Sequence, residues 1–537
     1  MYLVHRTVRV SLFSFCLLSL VVVLGMARPV AAQVTAFKQA VAEAASRDKD
    51  IAAFYQSNGY TPIWTGDSAQ DRARRVELMQ ALAHAAEHGL PAARYDTKEL
   101  IAQTKTARSA RDLGLLEVEF SKRFLAYARD IQTGVVVPSA IDPGLVRTVP
   151  YQDRITFLKE FSNADPRAYL RDLPPRSPEY LALMKEKLRL ERELARGGWG
   201  PTVPGKKLEF GQTGEAVVAL RNRLIAQGYL GRTTTRSFDG DVQTAVLAFQ
   251  TAHGLTPDGV VGGDTLAEIN RSMQERLESV MVAMERERWL PRDRGERHIL
   301  VNLTDFSAKI YDSGKLTFET RSVIGKNSND RRSPEFSDVM EFMVINPSWY
   351  VPRSIVTKEY LPQLQQNPNA VGHIEITDSR GRRVNRQATD FSQFTARSFP
   401  FAMRQPPSQS NALGLVKFMF PNPYNIYLHD TPAKNLFGRE VRAYSHGCIR
   451  LADPFDFAYT LLAKQTPDPQ GFFKSQLDTG KEIQVDLKEP VPVHIIYRTA
   501  FSDAKGAIQY RRDIYGRDAK IWDALQSAGV ALRGVQG

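Results

Sequence analysis

The sequence predicts a multi-domain α+β protein, and three observations lead to that prediction. The chain has 537 residues, and at roughly 100 to 200 residues per domain this length implies about three domains. Apolar residues recur at helical spacing through much of residues 33–272, whereas they alternate with polar residues from residue 296 onward, as in β-strands. A polar insertion at residues 352–411 interrupts the strand pattern, which predicts a cap on a mainly β domain.

The domain organisation follows from these changes of pattern along the chain. In order, the sequence predicts a signal peptide at 1–32, a helical scaffold at 33–205, a three-helix unit at 206–272, a connecting helix at 273–295, the mainly β domain at 296–490 and a C-terminal segment at 491–537 that packs back on the body.

The N-terminal segment indicates export. Arg6 and Arg9 precede an apolar run at 10–26, which is short for a membrane span of about 20 residues, and Val30-Ala31-Ala32 offers small residues for cleavage. The alternative is an uncleaved N-terminal anchor in the inner membrane. In both cases the bulk of the chain is exported.

Composition limits the classes of partner. Hydrophobic residues make up 43% and charged residues 24%, as in globular proteins, and the net charge of +12 favours partners of negative or mixed charge. No basic segment interleaved with aromatic residues stands out, so nucleic acid is not predicted as a partner.

The helical elements come first along the chain. Within residues 33–205 the run from His84 to His88 matches the H-x-x-E-H pattern of some zinc peptidases, but Gly89 follows at once and predicts a helix end. We therefore predict no metal site and no cofactor. In the next unit, apolar residues at helical spacing predict helices at 217–225, 242–250 and 265–269, separated by Asp-Gly turns.

The strands follow the helix that ends near Trp289. Alternation predicts strands at 298–303, 339–345, 424–429 and 493–497, and a helix after Pro454. It also predicts a hairpin at 308–324, with Asp312-Ser313-Gly314-Lys315 between its two strands. The insertion at 352–411 lies between two of these strands, and it is predicted as a lid over a site or, alternatively, as a passive surface insertion.

Cys448 is the one thiol that remains once residues 1–32 are set aside. A lone thiol in an exported chain is either an inert buried side chain or one kept for its reactivity. His429, predicted at the end of a strand, and Cys448, on the turn that follows the next segment, form a plausible base and nucleophile. Spacing alone leaves both readings open.

The run Ser445-His446-Gly447-Cys448-Ile449-Arg450, preceded by His429, resembles the signature of L,D-transpeptidases, cysteine enzymes that cross-link peptidoglycan. Further segments resemble the large multi-domain members of Gram-negative envelopes, namely Glu287-Arg288-Trp289-Leu290-Pro291, Asn346-Pro347-Ser348-Trp349-Tyr350 and the run from Asn411 to Asn422. Residues 206–272 resemble the peptidoglycan-binding-like three-helix domain. The resemblance implies a periplasmic enzyme.

The resemblance also implies roles for single residues. Cys448 is the implied nucleophile and His429 the base, with the carbonyl of Asp430 orienting the imidazole. His446 and the N–H groups of Gly447 and Cys448 line the implied oxyanion site. Arg450, Ser445 and Tyr427 are predicted to bind substrate. Arg450 has an alternative reading, as a structural arginine paired with Asp453 or Asp456.

The implied reaction joins peptidoglycan tetrapeptide stems by 3→3 cross-links through a thioester on the cysteine, with release of D-Ala. The alternatives are L,D-carboxypeptidase activity, attachment of a protein to peptidoglycan, and a non-catalytic peptidoglycan-binding scaffold. Proteins of cell-wall synthesis or of the outer membrane are possible partners. A carbapenem is expected to acylate Cys448, because its strained carbonyl imitates the acyl donor.

Overall fold

The computed structural model describes residues 35–533, so the predicted signal peptide lies outside the described residues. Two compact units divide the chain: the described part of Met1–Arg75 with Lys98–Lys122, and Val76–Thr97 with the described residues from Arg123 onward. Between residues 35 and 533, no helix combines the length and apolar character that a membrane span requires.

Helices occupy residues 36–195. Their bounds are α1 Ala36–Ala45, α2 Lys49–Ser57, α3 Ala69–Ala83, α4 Lys98–Thr106, α5 Ala110–Thr133, α6 Pro138–Ile141, α7 Arg154–Asn163, α8 Pro166–Asp172 and α9 Pro178–Ala195. Side-chain caps fix several starts, as where Asp48 accepts a hydrogen bond from the N–H of Ile51 at the beginning of α2.

The first unit is organised around the buried carboxylate of Glu117. Its oxygens accept hydrogen bonds from the N–H groups of Ile63, Trp64 and Thr65, at 2.6–3.2 Å, and from the hydroxyls of Tyr55 and Thr65, at 2.8 and 2.7 Å. Burial raises the pKa of Glu117, and these donors oppose the rise. Tyr55 and Trp64, which surround this carboxylate, are fully buried and belong to the core of the unit.

The H-x-x-E-H segment does not form one helix. Helix α3 ends at Ala83, a 3₁₀ turn covers Ala85–His88, and Gly89 closes it with φ of 73°. His84 is exposed and lies 2.8 Å from Glu87, while the ring of His88 stacks on Tyr180. Within residues 35–533, no group of three or more potential ligands is arranged to hold a metal ion.

The three-helix unit consists of α10 Glu215–Ala226, α11 Gly240–Ala252 and α12 Gly263–Ile269 around a separate apolar core that includes Leu220, Val246 and Phe249. Helix α13, Met273–Arg288, follows it and begins with a capping box between Ser272 and Glu275.

The strands are β1 Arg297–Asn302, β2 Ser307–Asp312, β3 Lys315–Gly325, β4 Phe336–Ile345, β5 Trp349–Tyr350, β6 Glu375–Thr377, β7 Ala402–Gln405, β8 Val416–Met419, β9 Leu428–His429, β10 Ala443–Ser445, β11 Ile449–Leu451, β12 Ile483–Ile496, β13 Ala500–Ser502 and β14 Ile508–Tyr510. The remaining helices are α14 Arg353–Ile355, α15 Leu361–Gln366, α16 Pro454–Leu462, α17 Pro469–Leu477 and α18 Arg517–Ser527.

The large sheet closes on itself. Its order is β10-β3-β11-β9-β8-β4-β12-β1-β2, and β2 pairs with β3 as well. The long strand β3 makes the closure possible, because its first part pairs with β2 and its end pairs with β10 and β11. Apolar side chains from alternate positions fill the interior. The predicted multi-domain α+β fold is thereby confirmed.

Two details of the β domain differ from the sequence predictions. The predicted boundary at residues 490 and 491 falls inside β12, which pairs with β4 on one side and with β1 on the other. Pro490 lies in an irregularity of β12 between Asp486 and Val491, and Pro492 pairs with Val339 of β4, so the strand continues through both prolines.

The predicted strand at 424–429 shortens to β9, because the side chain of Asn422 binds the backbone of Tyr424 and Ile426 and Asn425 takes φ of 54°.

The insertion at 352–411 folds as a small body with its own core. Strands β5, β7 and β6 form a three-stranded sheet, and α14, a π-helical turn at Val356–Tyr360 and α15 pack beside it. At the other end of the domain, α18 is held by buried ion pairs, in which Arg286 of α13 contacts Glu335 and Asp518 at 2.5 and 2.9 Å. The C-terminal segment thus packs on the body.

Candidate functional site

Three adjacent strands carry the central side chains of the site. In the parallel pair β9 and β11, His429 lies opposite Arg450, and in the antiparallel pair β8 and β9 it lies opposite Lys417. Side chains alternate along a strand, and Leu428 and Ile449 point into the apolar core. His429, Cys448 and Arg450 therefore share the opposite face of the sheet.

The turn that presents Cys448 is held by two serines. The hydroxyl of Ser445 donates to the carbonyl of Cys448 at 2.5 Å and accepts from the N–H of Gly447 at 3.1 Å. The hydroxyl of Ser333 donates to the carbonyl of Gly447 at 2.6 Å. Gly447 has φ of 119°, and a Cβ at this position would lie 3.2 Å from Cδ1 of Ile426, so the turn requires glycine.

This turn corrects two of the predicted roles. Ser445 was expected to bind substrate, but it is 2% exposed and its hydroxyl is engaged within the turn, so it positions Cys448 instead. The N–H of Gly447 was expected at the oxyanion site, but it donates to Ser445. The N–H of Cys448 finds no acceptor among residues 35–533, and it is the backbone donor that remains free for an oxyanion.

The thiol of Cys448 is held as a neutral group. Its Sγ lies 3.4 Å from the carbonyl oxygen of Asn425, to which it donates. Burial raises the pKa of the thiol to about 11, against the opposing effects of hydrogen bonds with Tyr427 and of the charge on Arg450. Tyr427 also places its ring 5.6 Å from that of His429. Its phenol therefore lies beside the thiol and the imidazole.

His429 is oriented by its neighbour in sequence. The Nδ1–H of His429 donates to the carbonyl of Asp430 at 2.5 Å, an arrangement that leaves Nε2 as the basic nitrogen. The carboxylate of Asp430 accepts from the N–H of Leu415 at 2.9 Å and from Lys434 at 2.7 Å, so it fixes the adjoining loop and does not contact the imidazole.

Burial and positive charge keep the imidazole neutral. Burial, as the largest cause, and the charges of Arg450 and Lys417 together lower the pKa of His429 to about 3, against the opposing effect of the carbonyls of Asp430 and Leu413. A neutral imidazole can accept a proton from the thiol when attack begins.

Arg450 has no structural acid partner. Within the described chain it forms no ion pair with Asp453 or Asp456, and Asp453 instead accepts from the hydroxyl of Thr320 at 2.8 Å. The Nε of Arg450 is buried and makes no hydrogen bond to any described residue. The structural pairing considered for this arginine is therefore absent, and its role in binding substrate stays a prediction.

Lys417 belongs to the site and was missed by sequence reasoning. It is half-buried, faces His429 across the sheet, and burial lowers its pKa. The signal was available in the alternation of Val416 and Phe418, both buried in the core, which places Lys417 on the opposite face. Only the pairing of β8 with β9 shows which residue it meets.

His446 contacts the cap. Its Nε2 lies 2.7 Å from Oε1 of Glu359, and the same oxygen accepts from Arg331 at 2.6 Å. Glu359 belongs to the π-helical turn of the insertion, so the turn that carries Cys448 is joined to the cap by a hydrogen bond. The ring of His446 is thus directed to the cap, which differs from its expected place at an oxyanion site.

Three family models match the chain. The model described as "Scaffold domain" matches residues 49–186, "Putative peptidoglycan binding domain" matches 213–269, and "L,D-transpeptidase catalytic domain" matches 296–486. The third range contains the histidine, the cysteine and the cap, and the resemblance found in the sequence is confirmed.

A curated relative points to the same family. A protein of Haemophilus influenzae named "Putative L,D-transpeptidase" is 32% identical over 236 residues, which cover 42% of this chain and 47% of the relative. The chain thus spans about half the length of the relative it matches.

An L,D-transpeptidase from Xylanimonas cellulosilytica is 16% identical, with 55% of this chain and 100% of that chain covered and a TM-score of 0.17. An L,D-transpeptidase from Stackebrandtia nassauensis is 13% identical, with 55% and 97% covered and a TM-score of 0.22. The family models and the curated relative show that the chain carries an L,D-transpeptidase catalytic domain and a peptidoglycan-binding domain.

Proposed function

We propose that this protein forms 3→3 cross-links between peptidoglycan stem peptides through a thioester on Cys448. The observation that carries the proposal is the placement of His429 on β9 and of Cys448 on the turn that leads directly into the adjacent strand β11, with the imidazole oriented by the carbonyl of Asp430. The peptidoglycan-binding domain in the same chain supports peptidoglycan as the substrate.

In the first half-reaction, Nε2 of His429 takes the thiol proton as Sγ attacks the carbonyl between the L-centre of the diamino acid and the terminal D-Ala. The N–H of Cys448 supports the developing oxyanion. Collapse breaks the peptide bond, and the imidazolium returns its proton to the amine of the leaving D-Ala. The product is a thioester between the stem and Cys448.

In the second half-reaction, the side-chain amine of a diamino acid on another stem attacks the thioester. His429 accepts the proton of this amine, and the thiolate leaves and is reprotonated by the imidazolium. The new amide bond joins the carbonyl at the L-centre of one diamino acid to the side-chain amine of the other. The enzyme returns to its neutral resting state.

The charges around the pair act differently on its two members: Arg450 stabilises a thiolate on Cys448, whereas Arg450 and Lys417 both oppose protonation of His429. Burial destabilises a free thiolate, which is why the resting thiol is neutral. Arg450 and Lys417 flank His429 in the sheet, and they can bind the carboxylates of the stem peptide or stabilise the transient negative charge. A substrate carboxylate placed there also supplies the acid partner that Arg450 lacks.

We propose that the cap acts as a lid. Transpeptidation competes with hydrolysis of the thioester, so the site must admit an amine and limit water. Glu359 joins the cap to His446, two residues from the nucleophile, which places the lid at the rim of the site. If water wins, the outcome is L,D-carboxypeptidase activity by the same cysteine. A protein side-chain amine as acceptor would attach an outer-membrane protein to the wall.

The location is part of the proposal. Peptidoglycan chemistry requires export, and we propose the periplasm, reached through the signal peptide predicted at residues 1–32. The competing function is a scaffold that binds peptidoglycan without catalysis, which the peptidoglycan-binding domain alone would support.

The test is incubation of the purified protein with disaccharide tetrapeptides, followed by mass spectrometry, for wild type and Cys448→Ala. Dimers linked 3→3 with loss of D-Ala, formed by wild type only, are expected. Tripeptides without dimers would establish hydrolysis instead. No reaction, together with retained binding to sacculi, would favour the scaffold. Equal thermal unfolding of the two proteins is the control for folding.

A further inference from the structure

A polar cavity lies outside the catalytic turn, and Cys448 is not among the residues that line it. Its volume is about 320 Å³, and one wall is the loop Gly254–Pro257 of the peptidoglycan-binding domain. The opposite wall belongs to the β domain and includes Arg321, Arg439 and Arg442, and Arg511 of the C-terminal segment closes one side.

The arginines in this cavity are held by carbonyl groups. Arg442 donates to the carbonyls of Ser322 and Arg439, at 3.1 and 3.0 Å, and to those of Asp305 and Phe306. Such contacts fix the guanidinium without neutralising its charge.

Arg511 and Arg321 are held in the same way. Arg511 donates to the carbonyls of Ala252 and Tyr510, at 2.9 and 2.7 Å, and Arg321 donates to that of Phe437, at 3.2 Å. Across residues 35–533, no ion pair involves Arg321, Arg442 or Arg511. The geometry is that of a preformed cationic site.

The two acids of the lining are engaged elsewhere. Glu440 pairs with Arg512 and accepts from the N–H and hydroxyl of Thr256, at 2.8 and 3.1 Å. Asp305 accepts from the N–H and hydroxyl of Ser307, at 3.0 and 2.7 Å. Positive charge therefore remains in excess within the cavity.

Desolvation makes that excess costly. Burial, as the largest cause, and the charges of Arg321 and Arg511 together lower the pKa of Arg442 to about 10, against the opposing charge of Asp305. Burial also lowers the pKa of Arg511. An anion in the cavity would relieve both effects, since a carboxylate accepts paired hydrogen bonds from a guanidinium.

We propose that this cavity binds a carboxylate of a peptidoglycan stem peptide, so that the peptidoglycan-binding domain and the catalytic domain hold the polymer together. The inference rests on the proposed function. It draws on position as well as charge, because Arg442 immediately precedes β10, which leads to the catalytic turn. At about 3.3 Å per residue, the segment from Arg442 to Cys448 spans at most about 20 Å.

The test measures binding of a disaccharide tetrapeptide to the full chain carrying Cys448→Ala, which prevents turnover. In that background, Arg321→Gln with Arg439→Gln removes two exposed cavity charges and leaves the half-buried Arg442 and Arg511 in place. Arg232→Gln with Arg397→Gln removes two exposed charges elsewhere and is the matched control.

We expect at least about tenfold weaker binding for the cavity variant and no change for the control. Equal weakening in both variants would overturn the proposal in favour of general charge attraction. Tight binding of a tetrapeptide whose carboxylates are amidated would overturn the assignment of the cavity to a carboxylate. Displacement of the tetrapeptide by inorganic phosphate at equal concentration would assign the cavity to phosphate instead.

The rate of acylation by a carbapenem, measured with Cys448 present, separates this inference from the proposed function. The cavity variant should be acylated at the wild-type rate, because its substitutions lie outside the catalytic turn. If a carbapenem does not acylate the wild type, the proposed transpeptidase function is refuted. The result of the binding experiment is unaffected by that outcome.

Discussion

The neutral thiol and neutral imidazole predict an unusual pH dependence, which His429→Gln should expose. With the pKa of Cys448 raised to about 11, roughly one molecule in 10⁴ carries the thiolate at pH 7. With the pKa of His429 lowered to about 3, the imidazole is already neutral at pH 5 and can take the thiol proton during attack. Acylation of the wild type should therefore be independent of pH between about 5 and 9.

His429→Gln removes the base, so that attack depends on thiolate formed by exchange with solvent. At pH 7 we expect acylation to slow by about 10² to 10⁴, the usual contribution of a positioned base. Because the thiolate fraction rises tenfold per pH unit below the pKa of the thiol, the rate of the variant should rise tenfold from pH 7 to 8 and again to 9.

The assay is the rate of carbapenem acylation, followed by intact-protein mass at each pH. His373→Gln, a change of an exposed histidine in the cap, is the matched control and should behave as wild type. A wild-type rate that rises tenfold per pH unit would refute the role of His429 as base. A wild-type rate that falls as the pH is lowered, with its midpoint near pH 6.5, would show that the imidazole is not desolvated.

Four further predictions concern single side chains. Gly447→Ala forces an alanine into φ of 119°, which costs about 1–3 kcal/mol and should slow acylation at least tenfold, measured with urea unfolding and mass spectrometry; a wild-type rate would contradict it. Glu359→Gln removes the charge that pairs with His446 and should raise the ratio of tripeptide to dimer product; an unchanged ratio would show that the cap is passive. Lys417→Met should raise the pKa of His429, so that on acidification the rate of acylation begins to fall at a higher pH than in the wild type. A pH profile of acylation identical to that of the wild type would argue against an effect of the Lys417 charge. Glu117→Ala leaves buried donors without an acceptor and should lower the free energy of unfolding of its unit by about 3 kcal/mol, whereas exposed Glu99→Ala should not.

Much of the architecture was predictable from local sequence patterns. The helices around Leu220 and Phe249, the strands on either side of the Ser313-Gly314 turn and the cysteine turn all carry short-range signals, since periodicity and turn residues act within a few positions. The resemblance carried by residues 445–450 led to the catalytic family for the same reason.

Where local signals conflicted, the sequence misled. The boundary predicted at residues 490 and 491 falls inside β12, and the strand predicted at 424–429 is shortened because the side chain of Asn422 binds the backbone of Ile426. Ser445 looked available for substrate, but its hydroxyl is used by the turn it belongs to. Each of these outcomes depends on which backbone or side-chain group forms the hydrogen bond, and the local sequence does not decide between them.

The sequence by itself determined the motif around Cys448, the order of the segments and the α+β class. The tertiary structure decided the closed sheet, the cations beside His429, the contact of Glu359 with His446 and the arginine cavity. Residues such as Lys417 and His429, or Arg442 and Arg511, are separated along the chain and meet only through strand register and domain packing. Their charges act over a few ångströms in a desolvated site, so their effect exists only once the fold brings them together.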